Sequence, residues 1–258
     1  MILTSAYCLI IASLASQIVD IFIKFKIKLS VFLNIAAIVT LLLELIRRSI
    51  LIKYIAITNT YEALIFYSLS IILATTIYQA TSKKDFSRYI TFIGTIIAFI
   101  TLSLSSTPLA DNSITPPIPA LRSNWLLAHV ALSFIGESFL AVGFAAAIFY
   151  LATKDEEKKV YIEKIIKNSI SVGYPIFTIG ALLFGAIWAK NAWGRYWGWD
   201  PKETFALITF LVYTLYLHLR IIAKTKIKTT VIISVFGFLL TIFTFLGVNL
   251  LLPGLHSY

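Results

Sequence analysis

The chain contains three histidines, His129, His218 and His256, and a neutral imidazole nitrogen is a common ligand for iron, copper and zinc. A second feature suited to ligand binding is the aromatic segment, residues 189–203, which includes WGRYWGWDPKE at 193–203. It separates two long apolar stretches, where a membrane protein usually has a plain hydrophilic loop. Such an aromatic surface suits a flat aromatic ligand.

The composition excludes a soluble fold. Of the 258 residues, 59% are hydrophobic and 13% are charged, whereas soluble domains carry about 25% charged residues. The formal charge of +10 would suit nucleic acid in a soluble protein. Here the charges lie in short loops between apolar stretches, which is typical of membrane topology, so we expect the lipid bilayer and no nucleic acid as a partner.

The apolar stretches predict an all-α, polytopic membrane bundle of about eight helices, because about 20 apolar residues span the hydrocarbon core. We expect a single integral-membrane domain over residues 1–258. The first stretch lacks a basic region before it, so it reads as a span and not as a cleavable signal. The predicted spans are 4–23, 30–46, 62–80, 89–106, 124–150, 170–188, 204–221 and 229–248.

The distribution of lysine and arginine predicts the orientation. Alternate turns collect 15 of the 22 cations on one side of the bundle. Cytoplasmic loops carry this excess, so both termini are expected on the outer face. Arg47 and Arg48 break the rule at an outer helix end; they are either snorkelling side chains or part of an anion site.

This topology places two histidines level with the aromatic segment. His129 lies about one turn inside the outer end of span five, and His256 lies just beyond the outer end of span eight. Two imidazoles from different helices are a suitable axial pair for haem iron, with tryptophans against the porphyrin and outer cations on its propionates. His218 lies roughly 20 Å deeper along span seven, in the cytoplasmic half, with no second histidine at its level.

Ordinary structural roles remain open for these residues. A histidine in a membrane helix also serves as an interhelical hydrogen-bond donor, and tryptophan is common at membrane interfaces. Asp200, Pro201 and Glu203 fit a capping box that starts span seven. Glu137 shares a face of span five with His129 and is either a buried hydrogen-bond partner or part of a ligand path.

At these residues the chain resembles a known family. The aromatic segment resembles the tryptophan-rich "WWD" signature of haem-handling proteins, and within that group the chain is similar to the CcsA (ResC) branch of cytochrome c biogenesis. The signature alone does not separate this branch from CcmC and CcmF, but two further segments do. The segments that carry the resemblance are Asn59–Glu62, Ser123–Val130, Tyr213–Arg220 and Gly254–Tyr258.

The resemblance implies a haem site and a partner subunit. His129 and His256 match the external histidines that hold haem beneath the signature, and His218 matches a transmembrane histidine whose partner ligand belongs to CcsB (ResB). The expected substrate is haem b, carried across a bacterial inner (cytoplasmic) membrane or a thylakoid membrane. It would be presented, reduced, on the outer p-side face to the Cys-x-x-Cys-His motif of an apocytochrome c. The expected haem contacts are His129, His256, His218, Trp193, Trp197, Trp199, Asp200, Arg195 and Trp125.

The predicted function is therefore a haem-binding subunit of a holocytochrome c synthase (haem lyase), inactive without CcsB. One alternative is a CcmC-like presenter, which loads haem onto a carrier and requires neither His218 nor CcsB. A third interpretation is a solute or ion transporter with an aromatic gate, which predicts substrate flux and no bound chromophore.

Overall fold

The computed structural model describes residues 1–24, 29–223 and 225–252. Eight helices in these ranges are long and apolar enough to cross a membrane, and no strand occurs in them. The predicted all-α fold with about eight spans is confirmed. His256 lies outside the described residues.

The helices form two compact units, one comprising Met1–Arg122 and a second beginning at Ser123. In the first unit α1 is Ile2–Ile23, α2 is Leu29–Ile52, α3 is Thr60–Thr81 and α4 is Ser87–Ser105, followed by a 3₁₀ turn at Pro119–Leu121. In the second unit α5 is Asn124–Ala152, α6 is Glu156–Phe177, α7 is Gly185–Trp193, α8 is Pro201–Leu217, α9 is Ile227–Ile242 and α10 is Val248–Leu251. Three π-helical segments continue helices of the second unit: Thr178–Phe184, His218–Ile222 and Phe243–Gly247.

The sixth span is much longer than the predicted 170–188. It runs from Glu156 to Trp193, 38 residues, through α6, the first π segment and α7. Asp155 caps its start by accepting a hydrogen bond from the Lys158 N–H, and two glutamates in the first turn favour the helix dipole. The hydropathy pattern does not reveal these first turns because they are charged. Lys158 and Lys159, predicted to lie in a turn, lie in the helix.

Two arginines at the end of α2 bind carboxylates of their own unit. The Arg48 side chain, 2% exposed, lies 3.2 Å from the Glu62 carboxylate and donates to the carbonyl oxygens of Asn112 and Ser113 at 3.0 and 2.7 Å. Arg47 pairs with Glu44 at 2.7 Å. Arg48 therefore joins α2 and α3 to the segment between α4 and the 3₁₀ turn, where snorkelling or an anion site was predicted.

The second unit is built on a close crossing of α5 and α6. A Cβ atom added at Gly136 would lie 2.4 Å from the Phe177 backbone nitrogen, and one at Gly173 would lie 2.7 Å from the Gly136 carbonyl oxygen. Only glycine permits this backbone approach, which is typical of membrane helix interfaces. The crossing brings the π segment of the sixth span against α5, where His129 lies.

Candidate functional site

His129 lies in the second turn of α5 and is half-buried. Its Nδ1 atom is 2.9 Å from the carbonyl oxygen of Gly180. A carbonyl oxygen accepts, so Nδ1 carries the proton in this contact and Nε2 is the nitrogen with the lone pair. Histidines that ligate metals show this arrangement, because the second nitrogen donates to a carbonyl or carboxylate that fixes the ring.

The π segment Thr178–Phe184 makes the Gly180 carbonyl available to His129. Its wider turn lets the Gly185 N–H return to Gly180, which accepts from both Gly185 and the imidazole. A Cβ atom at Gly185 would lie 3.0 Å from His129 Nδ1. π segments occur frequently at functional sites.

Trp188 is a site residue that sequence reasoning missed. Its side chain is 1% exposed, and its ring stacks on His129 with an interplanar angle of 7° and 6.0 Å between centroids. Trp193 meets its edge at 6.0 Å and 73°. In the sequence, Trp188 lies at the end of a predicted apolar span, a position that is typical of an ordinary core residue. Trp188 thus connects the imidazole to the aromatic segment.

The aromatic segment begins in the last turns of α7, which ends at Trp193. Gly194 stops the helix in the left-handed conformation, with φ of 79°. Trp197 and Trp199 form an edge-to-face pair 5.8 Å apart, and Trp199 is 69% exposed. The indole N–H groups of Trp193 and Trp197 are buried and have no hydrogen-bond partner in the described part of the chain. Both can donate to an acidic group of a ligand.

Trp199 itself has a strained backbone, with φ of 57°, a conformation that costs a bulky residue roughly 1–2 kcal/mol. The Glu203 carboxylate holds it there, because it accepts from the N–H groups on both sides, Gly198 at 2.7 Å and Asp200 at 3.2 Å. The Asp200 side chain accepts from the Lys202 N–H, and Pro201 starts α8. The predicted capping box is confirmed, and Glu203 fixes more backbone than a cap requires.

Arg195 and Trp125 are two further residues predicted to contact the ligand. A Cβ atom at Gly198 would lie 2.8 Å from Arg195 Nε, so the exposed guanidinium lies directly over that glycine. Trp125, 43% exposed, lies one turn before His129 and contacts Phe184 of the π segment with centroids 5.7 Å apart. Ligand contact by either residue stays a prediction.

His218 is not brought to this group. It follows the 17 residues of α8, about 25 Å from Asp200 along the axis, and begins the second π segment. Its side chain is exposed. Two residues later, Arg220 pairs with Glu163 of α6 through Nε at 2.6 Å and through Nη2. Among the described residues, no three His, Cys, Asp or Glu side chains converge on a possible metal site.

The site residues present suit a flat ligand with a metal and acidic groups. His129 offers an oriented imidazole backed by Trp188, Trp199 offers an exposed aromatic surface, and two indole N–H groups offer donors. If such a ligand carried a metal, His129 could supply one nitrogen ligand to it.

Comparisons with known proteins show the family of the chain. The family model described as "Cytochrome C assembly protein" matches residues 57–256. CcsA of Chlamydomonas reinhardtii is 36% identical over 216 residues, which cover 78% of this chain and 60% of that protein. CcsA of Guillardia theta is 33% identical over 258 residues, covering 87% of this chain and 83% of that protein.

One solved structure, the cytochrome c haem lyase CcmF, has a similar fold. The TM-score is 0.72 at 17% sequence identity, and the match covers 95% of this chain but 46% of that one. This chain therefore spans less than half of that protein.

Fold and site together define a polytopic, all-helical membrane protein with an oriented imidazole beside an aromatic segment. The chain belongs to the cytochrome c assembly protein family, on its CcsA branch. It is an integral membrane protein with a role in cytochrome c maturation.

Proposed function

We propose that the chain is the haem-binding membrane subunit of a cytochrome c synthase, with haem b as its substrate. The observation that carries the proposal is the hydrogen bond from His129 Nδ1 to the Gly180 carbonyl oxygen at 2.9 Å, which directs the Nε2 lone pair to a ligand. His256 supplies the second axial imidazole, and iron accepts two such ligands.

The aromatic segment covers the haem in this proposal. Trp193, Trp197 and Trp199 contact the porphyrin, with Trp125 at its edge. The two unpartnered indole N–H groups and Arg195 bind the propionates. Asp200 acts by holding the segment through the cap of α8.

An apocytochrome c with a Cys-x-x-Cys-His motif receives the haem. In each attachment a cysteine S–H adds across a vinyl C=C bond, so a C–S bond and a C–H bond form and no electron is lost. Two histidine ligands would shield the iron from oxygen and so help to keep the haem in the reduced state that this step uses. The site keeps the haem oriented while its vinyl edge meets the peptide.

His218 forms an inner site at the interface with a CcsB (ResB) subunit. His218 is exposed at the start of the π segment that follows α8. This exposure supports the role, because a second ligand can then come from another chain. The excess of cations on one side supports an orientation with His218 towards the cytoplasm and the aromatic segment on the p-side of an inner or thylakoid membrane.

Absorption spectroscopy of the chain purified alone and with a CcsB-type subunit tests the proposal. We expect a Soret band in the wild type, a large loss of it in His129→Gly, and recovery when free imidazole is added, because imidazole replaces only the ligand. No haem band in either preparation, or an unchanged band in His129→Gly, would contradict the outer site.

The same preparations distinguish the CcmC-like alternative. His218→Ala is expected to leave the outer-site spectrum intact and to abolish cytochrome c maturation in cells that supply CcsB. Normal maturation in His218→Ala would favour a haem presenter that works without the inner site.

A further inference from the structure

The first unit contains a polar cavity that the haem proposal does not use. Its volume is about 260 Å³, and it lies where α1 and α3 end and α4 begins. Asp20, Gln79, Ser87 and Arg88 line it, together with the turn at 82–85 that joins α3 to α4. Arg88 pairs with Asp20 at 3.4 Å. All these side chains are polar or charged, so water fills the cavity in preference to lipid.

A chain of buried polar side chains continues inward from this cavity. Gln79 donates to the Ser30 hydroxyl at 2.9 Å, and the Ser13 hydroxyl contacts the Ser30 carbonyl oxygen at 3.4 Å. The Ser13 hydroxyl donates to the side-chain oxygen Oδ1 of Asn34 at 2.6 Å. Ser13 lies midway along α1, so the polar chain reaches the middle of the span, about 10 Å deeper than Asp20.

The buried polar side chains also connect to α4, and two of their polar atoms have no partner within the described ranges. Gln17 Nε2 donates to the hydroxyls of Ser13 and Thr95 at 3.0 and 3.1 Å. Gln17 Oε1 and Asn34 Nδ2 have no hydrogen-bond partner within the described ranges. Both residues are at most 1% exposed. An unsatisfied buried polar atom costs about 1–3 kcal/mol, whereas an internal water satisfies a donor and an acceptor at once.

We propose that the first unit holds a hydrated half-channel, in which water extends from the cavity at Asp20 and Arg88 to internal sites at Gln17 and Asn34. Its ligand is water, which donates and accepts and so can satisfy both Gln17 Oε1 and Asn34 Nδ2. The half-channel lies wholly within the first unit and does not depend on haem binding by the second.

Three positions on α4 provide a matched test, after the exposed Cys8 is replaced by serine. Ser87 lines the cavity, Thr95 lies at the inner end of the polar chain, and Ala98 is buried one turn further along the same helix. Each is changed to cysteine in protein held in lipid nanodiscs.

Two reagents measure access to water at two depths, one at the cavity and one at the internal sites. Methanethiosulfonate ethylammonium is expected to modify Ser87→Cys at least about tenfold faster than Ala98→Cys, since only a hydrated thiol ionises readily. Radiolysis in ¹⁸O-labelled water forms hydroxyl radicals at bound waters, so Thr95→Cys should be oxidised at least about tenfold faster than Ala98→Cys. Adding Gln17→Leu and Asn34→Leu should remove that difference.

Equal modification of Ser87→Cys and Ala98→Cys would overturn an aqueous cavity, and equal oxidation of Thr95→Cys and Ala98→Cys would overturn the internal waters. Folding is checked by monodisperse elution and an unchanged thermal midpoint. If Ser87→Cys fails to fold, Ser82→Cys in the cavity turn takes its place. The haem spectrum of each variant reports separately on the proposed function.

Discussion

At the scale of single residues, one or two acceptor groups hold the functional parts of the candidate site in place. One carbonyl oxygen fixes the imidazole of His129, and one carboxylate, that of Glu203, fixes the backbone on both sides of Trp199. Neither the Gly180 carbonyl nor the Glu203 carboxylate would itself touch a ligand. Substitutions at these supporting positions therefore separate orientation of the site from ligand contact.

Glu203→Ala is expected to lower the free energy of unfolding by about 1–3 kcal/mol, because two backbone N–H groups lose their acceptor and α8 loses half of its cap. Thermal unfolding followed by tryptophan fluorescence measures the change, and the emission of Trp199 should shift as its backbone relaxes. Glu157→Ala, an exposed glutamate at the start of α6, serves as the control. A Glu203 variant as stable as this control would contradict the assignment.

Gly185→Ala is expected to weaken haem binding about tenfold, which corresponds to about 1.4 kcal/mol. The new methyl group would lie 3.0 Å from His129 Nδ1 and displace the ring from the Gly180 carbonyl. Haem titration and the midpoint potential of the bound haem measure the effect. Gly143→Ala on α5 is the matched control, since its Cβ meets nothing nearer than 3.4 Å. Equal affinities in the two variants would show that the ring position does not matter.

At the scale of helices, the sixth span and α5 act as a pair whose glycines bring backbone to backbone. This contact, and not side-chain interdigitation, sets the position of the π segment beside His129. A methyl group at the crossing must therefore move a whole helix. The helices would separate and carry Gly180 away from the imidazole.

Gly136→Ala is expected to destabilise the second unit by about 1–3 kcal/mol, as overpacking at a fixed contact does. Its Cβ would lie 2.4 Å from a backbone nitrogen that cannot rotate away. Thermal unfolding in detergent, compared with Gly143→Ala, gives the difference. If Gly136→Ala unfolds at the temperature of the control, the helices do not touch at this position.

Much of this architecture follows from hydropathy, and some of it does not. Apolar runs predicted all eight spans, and the spacing of Asp200 and Glu203 predicted the capping box, because both are local signals. The role of the Gly180 carbonyl depends on π winding, which shifts one backbone oxygen without any change in residue type. The stack of Trp188 on His129 joins two helices, and a single sequence without partners in space does not contain that contact. The assignment of haem ligands to His129, His218 and His256 stays a prediction.

At the scale of the whole molecule, the asymmetry of charge predicts how the chain lies in its membrane. The turn between α3 and α4 carries Lys83 and Lys84, and the turn between α5 and α6 carries Lys154. Both turns are expected on the cytoplasmic face by the positive-inside rule.

Single cysteines in the Cys8→Ser background test this orientation. Lys84→Cys and Lys154→Cys are expected to react with a membrane-impermeant maleimide only in inside-out vesicles, whereas Thr115→Cys, in the segment between α4 and the 3₁₀ turn, should react only in right-side-out vesicles. Detergent-solubilised protein, in which all three react, is the control. The reverse pattern would invert the proposed inner and outer haem sites together.

The left-handed backbone of Trp199 is a position at which glycine would be the more stable choice. Glycine adopts the left-handed conformation freely, so Trp199→Gly would relieve roughly 1–2 kcal/mol of strain while Glu203 still held the turn. Selection for a stable chain alone would favour glycine at this position. The chain instead has an indole there that is 69% exposed. The backbone strain at Trp199 is therefore accepted for an exposed aromatic surface and not for packing within the fold.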